Sequence, residues 1–400
     1  MVNFVSKPKV IVILGLLGLG SILGSCSKGS NYSTQNGSQA SGFKAWADPG
    51  YSLYVADTAS NDVRVINLAT YRTTRILNAG PAPLALALAD NSHTLVVANN
   101  TGGQPGGTST LTEVNLSNFQ ISKEVPAGQG PYAIGIVNST HTAYSADMGL
   151  MVLDQNKLNL SHPTVENVAG AWQVQAAQSV TPINLSTLTP EKPIYAGPGP
   201  GAIAITPDGN EALVADAGTP KNPGVGVALL DLKSGTFVRE IKTGIAPQGV
   251  AIAPNGGFAY VTNSGWWLTP GNTVTPINMH TFKTLPPIKV GTGPMAIAVT
   301  PNSQWVYVAN FGWDTKSGET VVPINAQTDK AGSPIHVGPG PVSIAITPDG
   351  KFAFVALTGI LTTAGHSVIP IRISDNKVGP PIRVGTGPGA VVVGPSIAPG

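Results

Sequence analysis

Charge is what this 400-residue sequence has least of: Asp, Glu, Lys and Arg make up 10% of it, against roughly a quarter in an ordinary globular chain. The formal net charge of +2 is carried by Lys7 and Lys9, and the rest of the chain balances. No basic stripe and no interleaving of aromatic with basic residues occurs, so the electrostatic footprint of nucleic-acid binding is missing. The single cysteine, Cys26, excludes an internal disulfide and leaves stability to packing. The six histidines, His93, His141, His162, His280, His336 and His366, fall at no metal-ligand spacing. The motifs G-x-S-x-G, G-x-x-x-x-G-K-[ST] and C-x-x-C-H are absent, and no cofactor or metal is implied. With 42% hydrophobic residues the chain can still bury a large core, which separates it from Gly/Pro-rich disordered sequences.

The N-terminus reads as an export signal. Lys7 and Lys9 precede an unbroken run of apolar, Gly and Ser residues, Val10 to Leu23, too short for a comfortable membrane span. The run ends in Leu23-Gly24-Ser25-Cys26, which resembles the lipobox of bacterial lipoproteins. That resemblance implies a diacylglyceryl group on the Cys26 sulfur and cleavage just before it. Residues 1–25 are then a lipoprotein signal peptide. Residues 26–42 are the lipidated Cys and a flexible linker rich in Ser, Gly, Asn and Gln, and residues 43–400 are the folded domain. The expected location is outside the cytoplasm, at the cell membrane or cell surface, with the lipid anchor as the membrane contact.

What the sequence has in quantity is Gly (48) and Pro (35), and they recur at fixed places. The pattern is G-x-G-P, an alternating apolar run, T-P-D/N-G, then an aromatic-V-A/T-N run. Anchor prolines fall at Pro83, Pro131, Pro200, Pro247, Pro294, Pro341 and Pro388, at intervals of 48, 69, 47, 47, 47 and 47 residues. Each unit reads as four strands, A to D, with A and B joined by the Pro-Asp/Asn-Gly turn. In the sixth unit these are Ala296–Val299, Trp305–Ala309, Val321–Asn325 and Ser333–Val337. Tandem units of this length and make-up predict a β-propeller. The chain begins with strands B, C and D only and finishes with a strand A only (Ala390–Val393). The expected fold is therefore an all-β, seven-bladed propeller, its ring closed by the C-terminal strand A joining the N-terminal strands B–D, with no free edge at the seam. Pro182, Pro276, Pro323 and Pro370 sit inside strand C, where a bulge or unpaired position is expected.

The stretch ending in Tyr260-Val261-Thr262-Asn263 resembles the YVTN repeat of bacterial and archaeal surface propellers, a group similar to the lactonase-like and YncE-like seven-bladed folds. The resemblance covers about residues 43–395. It implies the fold and leaves the activity open.

Function on such a scaffold belongs to loops, and the B–C connections are long in six of seven blades, the longest being Met148–Ser179 in blade three. A candidate binding face comprises Trp172, Trp266, Trp267, Phe311, Trp313, Asp314 and His366, whose aromatics would stack on a carbohydrate or meet a protein partner. The alternative is that the tryptophans pack the loops together. A ring of Asp57, Asn99, Asp147, Asp216, Asn263 and Asn310 ends successive B strands. It reads chiefly as turn chemistry, with a polar mouth for a ligand or cation as the other reading, and Leu357 interrupts it. No catalytic residues are assigned. The leading expectation is a monomeric, non-enzymatic binding or adhesion module. The alternatives are a lactonase-like or lyase-like enzyme, whose channel-mouth residues do not map onto this chain, and a structural envelope protein.

Overall fold

The computed structural model describes residues 50–90, 93–101, 109–153, 172–266, 269–313, 318–360 and 363–396. The expected signal peptide, Cys26 and the linker lie outside the described residues. Seven antiparallel sheets form the ring. Strand A of each blade packs on strand A of the next, and the last, Pro388–Pro395, packs on both Pro341–Ile346 and Pro83–Ala89. That last strand completes blade one by pairing with Tyr51–Asp57, with Leu53 opposite Val393 and Val55 opposite Val391. Asp62–Asn67 and Arg72–Leu77 fill the outer places. The two chain ends thus share one sheet, as the sequence pattern predicts.

The period-2 pattern of strand A explains how the blades interlock. Small residues occupy the second and fourth places after each anchor proline (Ala296 and Ala298 in blade six), except that Val392 takes the fourth place after Pro388, and larger apolar residues occupy the third and fifth (Ile297 and Val299). The small row receives the large row of the following blade. A Cβ placed on Gly135 would lie 2.7 Å from Cδ1 of Ile205, and one on Gly249 3.4 Å from Cγ2 of Ile297. Strand B lies between two blade interfaces and is buried almost throughout, as in Trp305–Asn310. The apolar clusters accordingly bridge neighbouring blades, for example Tyr307 and Ala309 with Ile344 and Val355.

The A–B turn is built by its threonine. Thr206 Oγ1 donates to Asp208 and accepts the Glu211 amide, and Thr300 and Thr347 repeat the arrangement. The fourth turn residue is left-handed, with φ of 75° at Gly209, 71° at Gly256, 69° at Gly350 and 58° at Ser303. Glycine takes that conformation without a steric penalty.

Strand D differs from the sequence expectation. Blade six has two short pieces, Lys330–Ala331 and Ile335–His336, in place of a continuous Ser333–Val337. The proline in strand C is the physical reason. Pro182, Pro276, Pro323 and Pro370 keep register with strand B but offer no N–H outward. Strand D therefore gives each proline carbonyl one amide, from Glu191, Leu285, Gly332 and Gly379, and breaks there. The unpaired position lies on the C–D side, and no B–C bulge is needed. In blade two Glu113 holds the same place, and its N–H is taken by Ser122 Oγ at 2.9 Å. Blades one and four have Val65 and Leu229 there, and their D strands, Arg72–Leu77 and Thr236–Lys242, run unbroken apart from one bulge each.

Candidate binding site at the loop face

The B–C loops, the D–A loops and the ends of the B strands share one face. The ring of B-strand ends lies just beneath its surface, with Asp57, Asn99, Asp147, Asp216, Asn263 and Asn310 all buried. Each packs on the first glycine of a G-x-G-P or related D–A loop. A Cβ at Gly80, Gly128, Gly197, Gly244, Gly291 or Gly385 would fall 2.1 to 2.9 Å from the side chain of Asn99, Asp147, Asp216, Asn263, Asn310 or Asp57 respectively. This close approach explains a glycine in every repeat.

The facing residues of strand C are matched to most ring members. Asn263 Nδ2 donates to the Thr273 and Thr275 hydroxyls at 2.9 and 2.8 Å. Asn99 does the same to Thr110 and Thr112 and also reaches the Ala79 carbonyl. Asp147 accepts from Ser145, Ser179 and Thr181. Asp57 accepts the Gly385 amide at 2.9 Å and faces Arg64 at 3.2 Å. Leu357, which interrupts the polar ring, joins the same apolar cluster as Ile369. Asp216 has Gly226 and Ala228 opposite, with no hydroxyl to meet it. Burial raises the carboxyls of Asp147 and Asp216 to about 7. It also raises Asp57, against the opposing pull of the Gly385 amide and Arg64. Apart from Asp216, each polar side chain hydrogen-bonds within its own blade or to the adjoining loop, although Oδ1 of Asp57, Asn99, Asn263 and Asn310 has no partner among the described residues.

Three of the long B–C connections are continuations of strands B and C. In blade five the hairpin is Phe258–Trp266 with Thr269–Asn278, and in blade seven Phe352–Ile360 with Thr363–Arg372. In blade three Thr142–Leu153 pairs with Trp172–Asn184, so the ends of the insertion form a hairpin with Trp172 opposite Leu153. A register shift marks where each hairpin leaves the blade. In blades two, four and six the described parts of the connection are loops.

The structure brings three of the expected binding-face residues together: Trp266, Trp313 and Phe311 share one cluster with Met148, Ala217, Ala246 and Met295. Trp266 has no exposed surface and donates its indole N–H to the Ala217 carbonyl of blade four at 2.9 Å. Trp313, at the equivalent place in blade six, is 9% exposed and donates to the Ser264 carbonyl of blade five, also at 2.9 Å. Their rings lie 5.7 Å apart, and Phe311 meets Trp313 edge-on. These two indoles act as bolts between blades, and their faces are not available for stacking on a ligand in solution. Phe311 is half-buried, and His366 is exposed on the blade-seven hairpin. Trp267 and Asp314 lie outside the described residues.

Below this cluster the A strands line an open-mouthed cavity of about 220 Å³ around the axis. Its rim is the residue that follows each anchor proline: Leu84, Tyr132, Gly201, Gln248, Met295, Val342 and Gly389. Deeper positions repeat as small and branched apolar residues, whereas the rim runs through six residue types in seven blades. Among the described residues no charged side chain lines the cavity. Burial raises the Tyr132 hydroxyl far above its ordinary value. Sequence reasoning missed this rim, although the signal was present as the one position after the anchor proline where the repeat abandons its pattern.

On the opposite face Asp90, His141 and Ser186 stand in relay order. His141 Nε2 is 2.8 Å from Asp90 Oδ1, and its Nδ1 is 2.8 Å from Ser186 Oγ. All three lie at the surface between blades two and three. The amides of Ser186 and Thr187, the nearest candidates to hold an oxyanion, already donate to Asn184 Oδ1. The arrangement ties the turn of blade two to those of blade three. Among the described residues no three His, Cys, Asp or Glu side chains are grouped to hold a metal ion.

The sequence matches no protein-family model and no curated protein. The fold matches many solved structures. Kuenenia stuttgartiensis hydrazine synthase superposes with a TM-score of 0.62 at 18% identity, covering 81% of this chain and 92% of that one. A functionally unknown protein from Desulfotomaculum acetoxidans superposes with a TM-score of 0.62 at 16% identity, covering 86% and 98%. At these identities the likeness is one of fold.

Proposed function

We propose that the chain is an exported, lipid-anchored propeller of the YVTN type that acts as a non-enzymatic binding module through its loop face. The observation that carries this reading is the division of labour between repeating and non-repeating residues. Everything that recurs with the blades is used to build blades, including the ring of B-strand ends. Variation is concentrated in the B–C connections and in the rim beneath them, all at one face. Variable loops on a rigid scaffold are the usual place for recognition. An anchor on Cys26 followed by a polar linker would leave that face free to meet a protein or carbohydrate of the cell envelope. The lactonase-like alternative gains no support from the cavity, where no carboxylate, histidine or cationic side chain is found among the described lining residues.

Two linked measurements test this reading. Cys26→Ser should move the protein from the membrane fraction to the soluble fraction and abolish labelling by an alkynyl fatty acid. A soluble form starting at Gly42 should bind purified envelope material, and binding should fall on combining Trp267→Ala, Asp314→Ala and His366→Ala. Envelope binding that is absent, or unchanged in the triple variant, would remove the loop-face assignment. Unchanged membrane partition of Cys26→Ser would remove the anchor.

A further inference from the structure

We infer that this chain pairs with a second copy of itself through the outer edge of blade four, forming one continuous sheet across a two-fold axis at Ile241. Thr236–Lys242 is the outermost strand of its blade, and no other strand among the described residues pairs with its outer side. In blades two, three, five, six and seven strand D is reduced to pieces of two residues with a proline in or beside one of them, which protects an edge from pairing. Blade four lacks that protection. The Thr243 amide is directed inward to the Val225 carbonyl, so by the two-residue alternation of a strand the amides of Lys242 and Glu240 point outward. Exposed apolar residues gather at the same edge. Of the eight large hydrophobic residues exposed among those described, five are here: Tyr195, Val225, Phe237, Val238 and Ile245. Tyr195, from strand D of blade three, meets Phe237 edge-on at 5.4 Å.

Charge along the edge selects both the occupant and its register. Opposed side chains in an antiparallel pair share a face, so two identical strands related by a two-fold axis place one residue on that axis. Val238 is the bulge residue, skipped in the pairing with strand C, and does not suit a regular axis. Centring on Arg239, Glu240 or Lys242 sets like charges face to face, which is destabilising. Centring on Ile241 opposes Glu240 with Lys242 of the second copy, twice over by symmetry, and sets Arg239 against Thr243. The same register carries Phe237 of each copy to Ile245 of the other, so the two exposed apolar ends meet across a charged middle. Strand D of blade one, the other unbroken edge, carries Arg72 and Arg75 and no acidic residue, so it has no such match. A joint along one strand per copy falls at the small end of specific interfaces, below about 1,200 Å². The pair is therefore a weak dimer, with a Kd on the order of 10–100 µM, and the expected monomer holds at low concentration. This pairing is separate from recognition at the loop face and stands whether or not that face holds a ligand.

Sedimentation equilibrium of the soluble form starting at Gly42, which keeps every described strand, tests the pairing over a concentration series spanning that range. Wild type should move reversibly from monomer to dimer. Glu240→Lys and Lys242→Glu should each weaken the dimer about tenfold, because either change turns both opposed pairs into like-charge pairs. Combining Glu240→Lys with Lys242→Glu should restore the dimer to within about threefold of wild type. Ile245→Ser should weaken it about fivefold by removing the apolar contact with Phe237. Glu240, Lys242 and Ile245 are all exposed, so these variants keep the fold, and urea unfolding checks that they do. A wild type that stays monomeric throughout would leave the patch to a different partner and overturn the proposal. So would a dimer that the single charge variants leave unchanged, or one that the combined exchange fails to restore.

Discussion

Asp216→Asn should stabilise this protein, and increasingly so as the pH rises. Asp216 occupies the B-strand end where blades two, five and six carry Asn99, Asn263 and Asn310. Its side chain is buried, Oδ1 has no hydrogen-bond partner, and strand C offers it no hydroxyl. Burial, assisted by Glu240 and opposed by the Gly218 amide, raises the carboxyl from 3.8 to about 7. The folded state therefore holds the proton more tightly than the unfolded chain. Stability from this group is fully present below about pH 4 and is lost as pH climbs through about 7. The interval corresponds to a ceiling of about 4 kcal/mol at about 1.4 kcal/mol per pH unit. Solvent reaching the site from the loops reduces that to about 2 kcal/mol. Asparagine removes the titration, and its Nδ2 can reach the Ala196 carbonyl as Asn99 reaches that of Ala79. Urea unfolding at pH 5 and pH 8.5 measures the effect. The wild type should lose stability between the two values, and Asp216→Asn should lose about 1 kcal/mol less, because only the part of the interval above pH 5 is sampled. Equal losses in both proteins would show that Asp216 is not held protonated by burial, and a variant less stable than wild type at pH 8.5 would refute the substitution logic.

Two further perturbations test the frame around the site. Trp266→Ala should cost about 3–5 kcal/mol as a fully buried ring is removed, and Trp266→Phe about 1 kcal/mol for the hydrogen bond to Ala217. Urea midpoints distinguish these from the near-neutral change expected of a solvent-facing indole. Removing residues 388–400 should leave Tyr51–Asp57 as an open apolar edge and produce aggregates in size-exclusion chromatography. A soluble, cooperatively unfolding truncated form would contradict closure by the last strand.

The architecture was legible because the repeat encodes it at two levels. Anchor prolines at near-constant intervals set the blade count. The alternation of Ala with Ile or Val set the strand and its two faces, and the incomplete first and last units set the closure. Strand D was less legible, because its break is dictated by a proline in the neighbouring strand and by the amide that proline lacks. The ring of B-strand ends was visible as a pattern, but its chemistry needed the residues of strand C that face it, such as Thr273 and Thr275 for Asn263.

Local periodicity and turn chemistry specify the blade, the number of blades and the face on which variation accumulates. Which aromatic residues are free depends on how the blades assemble. Trp266 and Trp313 sit in polar, loop-like sequence, yet each finds a carbonyl in the preceding blade, a contact 49 residues away in the chain. The same is true of the cavity: its seven rim residues, from Leu84 to Gly389, become neighbours only when the ring closes.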